Sequence, residues 1–266
     1  MPLIAFRKVV GTLLLAEYFR PENGRAYGVG LLDKFRLLRQ VRRNCRLPGS
    51  ASSFRDQLSL VTAVLQIPAS AEGAVAEFGC YKGLCSASLS LACHLTGRRL
   101  IVYDSFAGLP PTEAVVDHIA DTDQVKYRAG DYRGTLDEVR ENIRRFGEPS
   151  ACEFVEGYFE DTLPSRARSE KYVLIFEDAD LPGSVRTVLR EAWPRLQPGC
   201  RFYCHEAMDL QVMEIFFGQE WWAQHVGSAP PGFVGSGCGM HGWLAPCYLG
   251  YAVKLGGSTP NPGPGA

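Results

Sequence analysis

The chain has 266 residues, 46% hydrophobic and 21% charged, with a formal net charge of −1. These proportions lie in the ordinary globular range and exclude wholesale disorder, and the length suits one large α/β core carrying an extension. The charge is unevenly placed: residues 1–50 hold ten Lys/Arg against Glu17, Glu22 and Asp33, giving +7, which leaves −8 for the remainder. Such asymmetry marks either a basic surface for an anionic partner or a solvated helix face. Those fifty residues carry no aromatic-rich basic stripe or known binding module, so a nucleic-acid partner is disfavoured. Nine cysteines, an odd number with no CxxC pair, argue against a zinc ribbon or disulfide framework and fit a reducing, cytoplasmic setting. The apolar stretch Val9 to Tyr18 is far shorter than the ~20 residues of a membrane span, and no signal-peptide cleavage site follows it.

In chain order, residues 1–20 and 30–46 read as amphipathic helices, the second with Leu31, Leu32, Phe35, Leu38 and Val41 on one side. They are placed to cap a site or to pair two subunits as a homodimer. Residues 54–65 have helical periodicity and stop before Pro68. From Gly73 the pattern becomes strand, glycine turn, helix, strand: Ala74 to Phe78, Gly79, Ser86 to Leu95, then Leu100 to Tyr103 ending at Asp104. Residues 116–133 follow as a connecting loop or a lid. Helices are predicted around 136–146 and 186–196, and strands at 152–155, 172–176 and 201–204. The glycine-rich stretch from Phe233 closes with Leu249 to Lys254 as a terminal hairpin, and the Pro/Gly-rich tail from residue 256 reads as disordered. The expected organisation is an N-terminal helical extension (1–56), a Rossmann-like α/β domain (57–255) and a tail (256–266).

Within Glu77-Phe-Gly79-Cys-Tyr81-Lys-Gly83 the glycines allow a tight turn and close approach of a ligand, and the following helix offers free N–H groups to a carboxylate. This suits a cofactor with an amino-acid moiety. Asp104, twenty-one residues past Gly83, sits where doubly wound folds put a carboxylate for ribose hydroxyls. The G-x-G-x-x-G dinucleotide fingerprint and the Walker loop are both missing.

Four blocks carry a wider likeness: Glu77 to Gly83; Asp104-Ser105-Phe106-Ala-Gly-Leu-Pro110; Glu156-Gly157-Tyr158-Phe159-Glu-Asp-Thr-Leu-Pro164; and Glu177-Asp178-Ala-Asp180-Leu181 with Trp193 to Gly199 behind it. Through them, residues 57–254 resemble the macrocin O-methyltransferase family, the TylF/MycF-like enzymes. The resemblance implies a class I methyltransferase fold with a mostly parallel seven-stranded sheet. It also implies S-adenosylmethionine as cofactor and a hydroxyl on a small metabolite, such as a sugar or natural-product glycoside, as acceptor. By the same resemblance Glu77 and Gly79 lie beside the methionine moiety with Tyr81 and Gly83, Asp104 binds the ribose with Ser105 and Phe106 beside it, and Gly157, Tyr158 and Phe159 flank the adenine.

The family holds a magnesium ion with an Asp after the fourth strand and an acidic pair after the fifth, and ungapped counting puts these places on Asp178, His205 and Glu206. An imidazole among hard oxygen ligands departs from the pattern. Three readings of His205 stay open: ligand of a more nitrogen-tolerant metal, general base without a metal, or a structural histidine. Asp180, two residues on, points to the same side as Asp178 if the segment is extended. Leu181-Pro-Gly183 also departs from the family pattern. The rivals to a methyltransferase are a non-catalytic binding or scaffolding protein of the same fold and a nucleotide-dependent oxidoreductase.

Overall fold

A computed structural model describes residues 11–112, 114–119, 123–166, 169–242 and 247–256. The expected disordered tail and the first half of the expected N-terminal helix lie outside these ranges, and residues 11–18 are helical. After them come α1 (Leu31–Asn44), α2 (Phe54–Gln66), β1 (Ala74–Phe78), α3 (Leu84–Leu95) and β2 (Leu100–Asp104). A two-stranded ribbon, β3 (Ala114–Asp117) and β4 (Gln124–Tyr127), leads to α4 (Leu136–Phe146) and β5 (Cys152–Glu156). The chain closes through α5 (Phe159–Thr162), β6 (Tyr172–Glu177), α6 (Pro182–Ala192), β7 (Leu196–Cys204), α7 (Leu210–Phe217), α8 (Gln219–His225) and β8 (Gly250–Val253).

The main sheet has the order β5-β2-β1-β6-β7-β8, parallel throughout except for β8 against β7. The strand order switches sides between β1 and β6, which creates the crevice where doubly wound folds bind ligands. Among the described residues the main sheet has six strands instead of the expected seven. The segment expected to form a hairpin with β8 contributes a single antiparallel bridge, Val234 to Tyr251. Its glycines explain why: Gly232, Gly235, Gly237 and Gly239 all take positive φ, which an extended strand does not allow.

The two-residue pleat sorts side chains onto opposite faces. Val75, Leu100, Val102 and Phe176 join the core formed with α1 to α4, whereas Ala76, Phe78, Ile101 and Ile175 join the core with α6 to α8. Helices therefore cover both sides, and β1, β2 and β6 are buried along their whole lengths. Among the described residues no helix is long and apolar enough to cross a membrane.

The N-terminal helices share the first of these cores. The helix at 54 begins on a reciprocal cap: Ser53 Oγ accepts from Asp56 N at 3.3 Å and Asp56 Oδ2 accepts from Ser53 N at 3.0 Å. Helix α1 is tied down by Asn44, fully buried, whose amide donates to Ser88 Oγ at 3.1 Å and to the Phe146 carbonyl at 3.2 Å. Asn44→Ala leaves two buried groups short of a donor and is expected to cost about 1–3 kcal/mol of stability. Denaturant melts of the two proteins, with equal slopes, measure it.

Candidate active site

Every element that ends at the C-terminal edge of the sheet contributes to one cleft of about 290 Å³. Gly79 and Tyr81 come from the turn after β1, Asp104 and Ser105 from the end of β2, and Tyr158 and Phe159 from the turn after β5. Asp178 and Asp180 follow β6, and His205 and Glu206 follow β7. The sequence-predicted residues thus converge, except that Glu77, Gly83, Phe106 and Gly157 do not line this cleft; they shape it from behind.

Asp104 joins two of these turns. Its Oδ2 accepts from Cys80 N at 2.7 Å and its Oδ1 from Phe106 N at 2.7 Å, so one carboxylate fastens the turns after β1 and β2 together. Burial raises its pKa, and these backbone donors work against that rise. The rest of the Asp104 to Pro110 block has a similar logic. Ser105 Oγ donates to Gly108 O at 2.7 Å and accepts from Ala107 N at 3.1 Å, Phe106 is buried in the core, and Leu109 and Pro110 face the cleft. Gly108 is required because a Cβ there would stand 2.6 Å from the Gly130 carbonyl oxygen.

Gly79 has φ +85, and a Cβ on it would collide with the Asp178 carbonyl oxygen. Gly83 opens α3 at φ +73, letting Val139 of α4 pack where a side chain would be. Among the described residues four non-glycines take positive φ: Tyr81, Phe106, Tyr132 and Asp180. Three line the cleft and the fourth adjoins Ser105, the clustering of backbone strain that marks functional loops. Because Asp180 sits at φ 62 the segment after β6 is bent, not extended; Asp178 and Asp180 nevertheless both reach the cleft. The unexpected Leu181-Pro-Gly sequence starts α6, with Leu181 buried and Pro182 at the first helical position.

Glu77 is fully buried, and neither carboxylate oxygen has a hydrogen-bond partner. Burial pushes its pKa from 4.5 up to about 8; the nearby Ser86 hydroxyl opposes the rise, and Asp178 and Asp104 add to it. It borders a cavity of about 20 Å³ beside Gly79, Cys80 and Asp178, room for one water-sized or ammonium-sized group. An acid whose folded pKa exceeds its unfolded value favours folding while protonated. Stability is therefore expected to fall as pH rises from about 4.5 to about 8. Glu77→Gln is expected to flatten this slope, as read from melting temperature against pH for both proteins.

His205 is held between two carboxylates. Nδ1 lies 3.1 Å from Asp178 Oδ1, and Nε2, itself buried, faces Asp56 Oδ2 at 3.7 Å. Burial alone pulls the imidazole pKa down, but Asp178 and Asp56 outweigh it and hold the ring well above its usual value. Asp56 was not singled out from sequence; its only sequence signal is the Ser53-x-x-Asp56 cap. Glu206 is turned inward, Oε1 accepting from Asp180 N at 3.1 Å and Oε2 from the Cys204 thiol at 3.0 Å. That thiol also lies 3.0 Å from Glu177 Oε2, and burial with the Glu177 charge drives the Glu206 pKa well up.

The donor atoms of Asp178, His205 and Glu206 lie within 4.8 Å of one another. Even so, they fit a magnesium ion poorly. The imidazole is engaged by two carboxylates that favour its charged form, whereas a metal ligand must be neutral, and Glu206 is turned inward, its Oε1 accepting from Asp180 N.

Sequence reasoning also passed over the far wall of the cleft, where His118, Asp209 and Tyr248 meet. His118 Nε2 lies 3.4 Å from Asp209 Oδ1, and Tyr248 lies beside both histidines, its ring centroid 6.2 Å from that of His118 and 5.8 Å from that of His205. The β3–β4 ribbon brings Val125 and Tyr127 to the same wall. The ribbon is latched to α7 by Gln211, which donates to Asp117 Oδ2 at 2.6 Å and accepts from Asp117 N at 2.9 Å.

Comparison with known proteins agrees with this architecture. The family model described as macrocin O-methyltransferase (TylF) matches residues 55–210. The chain belongs to the macrocin O-methyltransferase family. Among its relatives is the 8-demethyl-8-(2,3-dimethoxy-alpha-L-rhamnosyl)-tetracenomycin-C 4'-O-methyltransferase of Streptomyces olivaceus, 36% identical over 109 residues, 39% of this chain and 40% of that protein. The mycinamicin III 3''-O-methyltransferase of Micromonospora griseorubida is 30% identical over 156 residues, 52% of this chain and 61% of that protein. The chain thus spans about half the length of these two curated family members, 40% and 61%. The solved O-methyltransferase NovP shares the fold, with a TM-score of 0.58 at 18% identity over 77% of this chain and 81% of NovP. The family's fold is the class I methyltransferase α/β fold, and the six-stranded sheet described above is this chain's version of it.

Proposed function

We propose that this protein transfers a methyl group from S-adenosylmethionine to a hydroxyl of a sugar or other natural-product small molecule, without a resident metal ion. The observation that carries the reading is Glu77, a fully buried carboxylate with no partner, at the edge of a small cavity beside the glycine turn. Burying a charge-capable group unpaired is costly, and an α-ammonium delivered by a ligand supplies the missing partner. The two relatives act, by their names, on a rhamnosyl tetracenomycin and on mycinamicin III, which supports the acceptor class.

When bound, S-adenosylmethionine supplies a methyl on a sulfonium leaving group. Glu77 receives the ammonium, Asp104 accepts from the ribose hydroxyls with its remaining lone pairs, and Tyr158 with Phe159 gives the purine a flat apolar wall. Asp178 faces the cleft next to both the glycine turn and His205, so it accepts the hydrogen bond, and then the proton, of the acceptor hydroxyl. His205 has both nitrogens turned to carboxylates and acts as a positioning residue that fixes Asp178. Tyr127, Tyr132 and Tyr248 form the acceptor wall, and the ribbon β3–β4 excludes water from it.

The test is a thermal-shift series with S-adenosylmethionine, S-adenosylhomocysteine and NAD, followed by mass spectrometry of glycoside acceptors incubated with S-adenosylmethionine in the presence of a chelator. Stabilisation by the first two, and a methyl-mass increase that survives chelation, is expected. Stabilisation by NAD alone would return the chain to the oxidoreductase reading. Cofactor binding without turnover on any hydroxyl acceptor would favour a binding role.

A further inference from the structure

We propose that the outer face of α1 docks this protein onto an anionic lipid surface, an interaction independent of the reaction assigned above. The helix has a fixed inner side: Lys34, Leu37, Val41 and Asn44 are buried, and Asn44 is bonded to Ser88 and to the Phe146 carbonyl. It cannot roll to hide its opposite side. That side begins with Leu31, Leu32 and Phe35, which are 60%, 71% and 53% exposed, and continues with exposed Arg36, Arg39, Arg42 and Arg43. The spacing of Leu32, Phe35, Arg36, Arg39, Arg42 and Arg43 follows the helical period, so apolar and cationic side chains share one face.

Neighbouring chain extends the pattern. The Phe19 ring lies 4.9 Å from that of Phe35, joining the preceding helical residues 11–18 to α1, and Leu13 there is 64% exposed. Large apolar side chains left in water next to a row of arginines are the composition of a helix that lies in a headgroup layer, its apolar end inserted and its cations on lipid phosphates. Charge complementarity chooses the occupant. The first fifty residues carry +7, and Asp33 is the one acidic residue on α1, already 3.7 Å from Arg36. A second copy is a poorer occupant. Two-fold pairing of this face sets its arginines against themselves, and the few apolar side chains fall short of the about 800 Å² per partner that a stable interface buries.

The experiment is flotation of the full chain with vesicles of phosphatidylcholine alone and of phosphatidylcholine containing about one quarter phosphatidylserine. It is run at physiological salt and again at about 1 M, where charges are screened beyond about 3 Å. Co-flotation with the anionic vesicles only, reduced by salt, is expected. The paired variants Leu32→Ser with Phe35→Ser, and Arg39→Glu with Arg42→Glu, are each expected to lower partitioning by roughly tenfold or more. All four positions are exposed, and the Phe35 contact with Phe19 joins α1 to the residues before it, away from the cleft, so S-adenosylmethionine binding should match the unsubstituted protein and certify the fold. Failure to float with anionic vesicles, equal flotation with neutral ones, or variants that float as well as the original would overturn the proposal. So would a dimer, seen by light scattering, that Leu32→Ser with Phe35→Ser dissociates, since the face would then belong to a second copy.

Discussion

Asp104→Ala is expected to abolish measurable S-adenosylmethionine binding. The carboxylate accepts from Cys80 N and Phe106 N, both at 2.7 Å, and so sets the spacing of the turns after β1 and β2. Removing it deletes two charge-assisted bonds, each worth about 1.5–3 kcal/mol, along with the acceptor for the ribose. An affinity loss of roughly 100-fold or more follows. Asp104→Asn keeps one acceptor oxygen and should fall between. Isothermal titration calorimetry reads the effect, with circular dichroism to verify the fold, and an unchanged affinity in the alanine variant would remove Asp104 from the cofactor site.

Asp178→Asn is the second large effect, and it separates chemistry from binding. The amide keeps the shape of the side chain but cannot take a proton, so kcat should fall by about 10²–10⁴-fold while the dissociation constant for S-adenosylmethionine changes by no more than about threefold. His205→Gln should lower kcat less, because it frees Asp178 without removing its carboxylate. Steady-state kinetics on the three proteins decides the assignment: a larger loss in the His205 variant than in the Asp178 variant would make the imidazole the proton acceptor.

The convergence of Gly79, Tyr81, Asp104 and Ser105 on the cleft was readable in advance because it is local: the glycine turn directly follows a short apolar strand, and Gly79 takes positive φ with its backbone against Asp178. The strands were readable for the same reason, since β1, β2 and β6 are short apolar runs buried on both faces. The expectation of a seventh strand in the sheet failed because four glycines with positive φ bend the segment before β8. Nor were the helices α7 and α8 foreseen, although Trp222 is fully buried there. The far wall of the cleft was least legible. His118, Asp209 and Tyr248 are brought together by the ribbon and by the approach to β8, distant segments with no shared motif. His205 shows the same limit: its two carboxylate neighbours lie 27 and 149 positions away in sequence, and only their convergence says which role the ring can take.

The pairing of His205 with Asp56 ties two parts of the chain to a common fate. Family likeness begins at residue 55, and the boundary drawn from sequence fell after residue 56. A protein trimmed at that boundary would lose Asp56, the Ser53 cap that orients it and Ala51 on the cleft. The imidazole would keep only one of its two counter-charges. Recombination that swaps N-terminal segments between family members must therefore carry a matching acid along with the histidine, or leave the imidazole with a single carboxylate beside it.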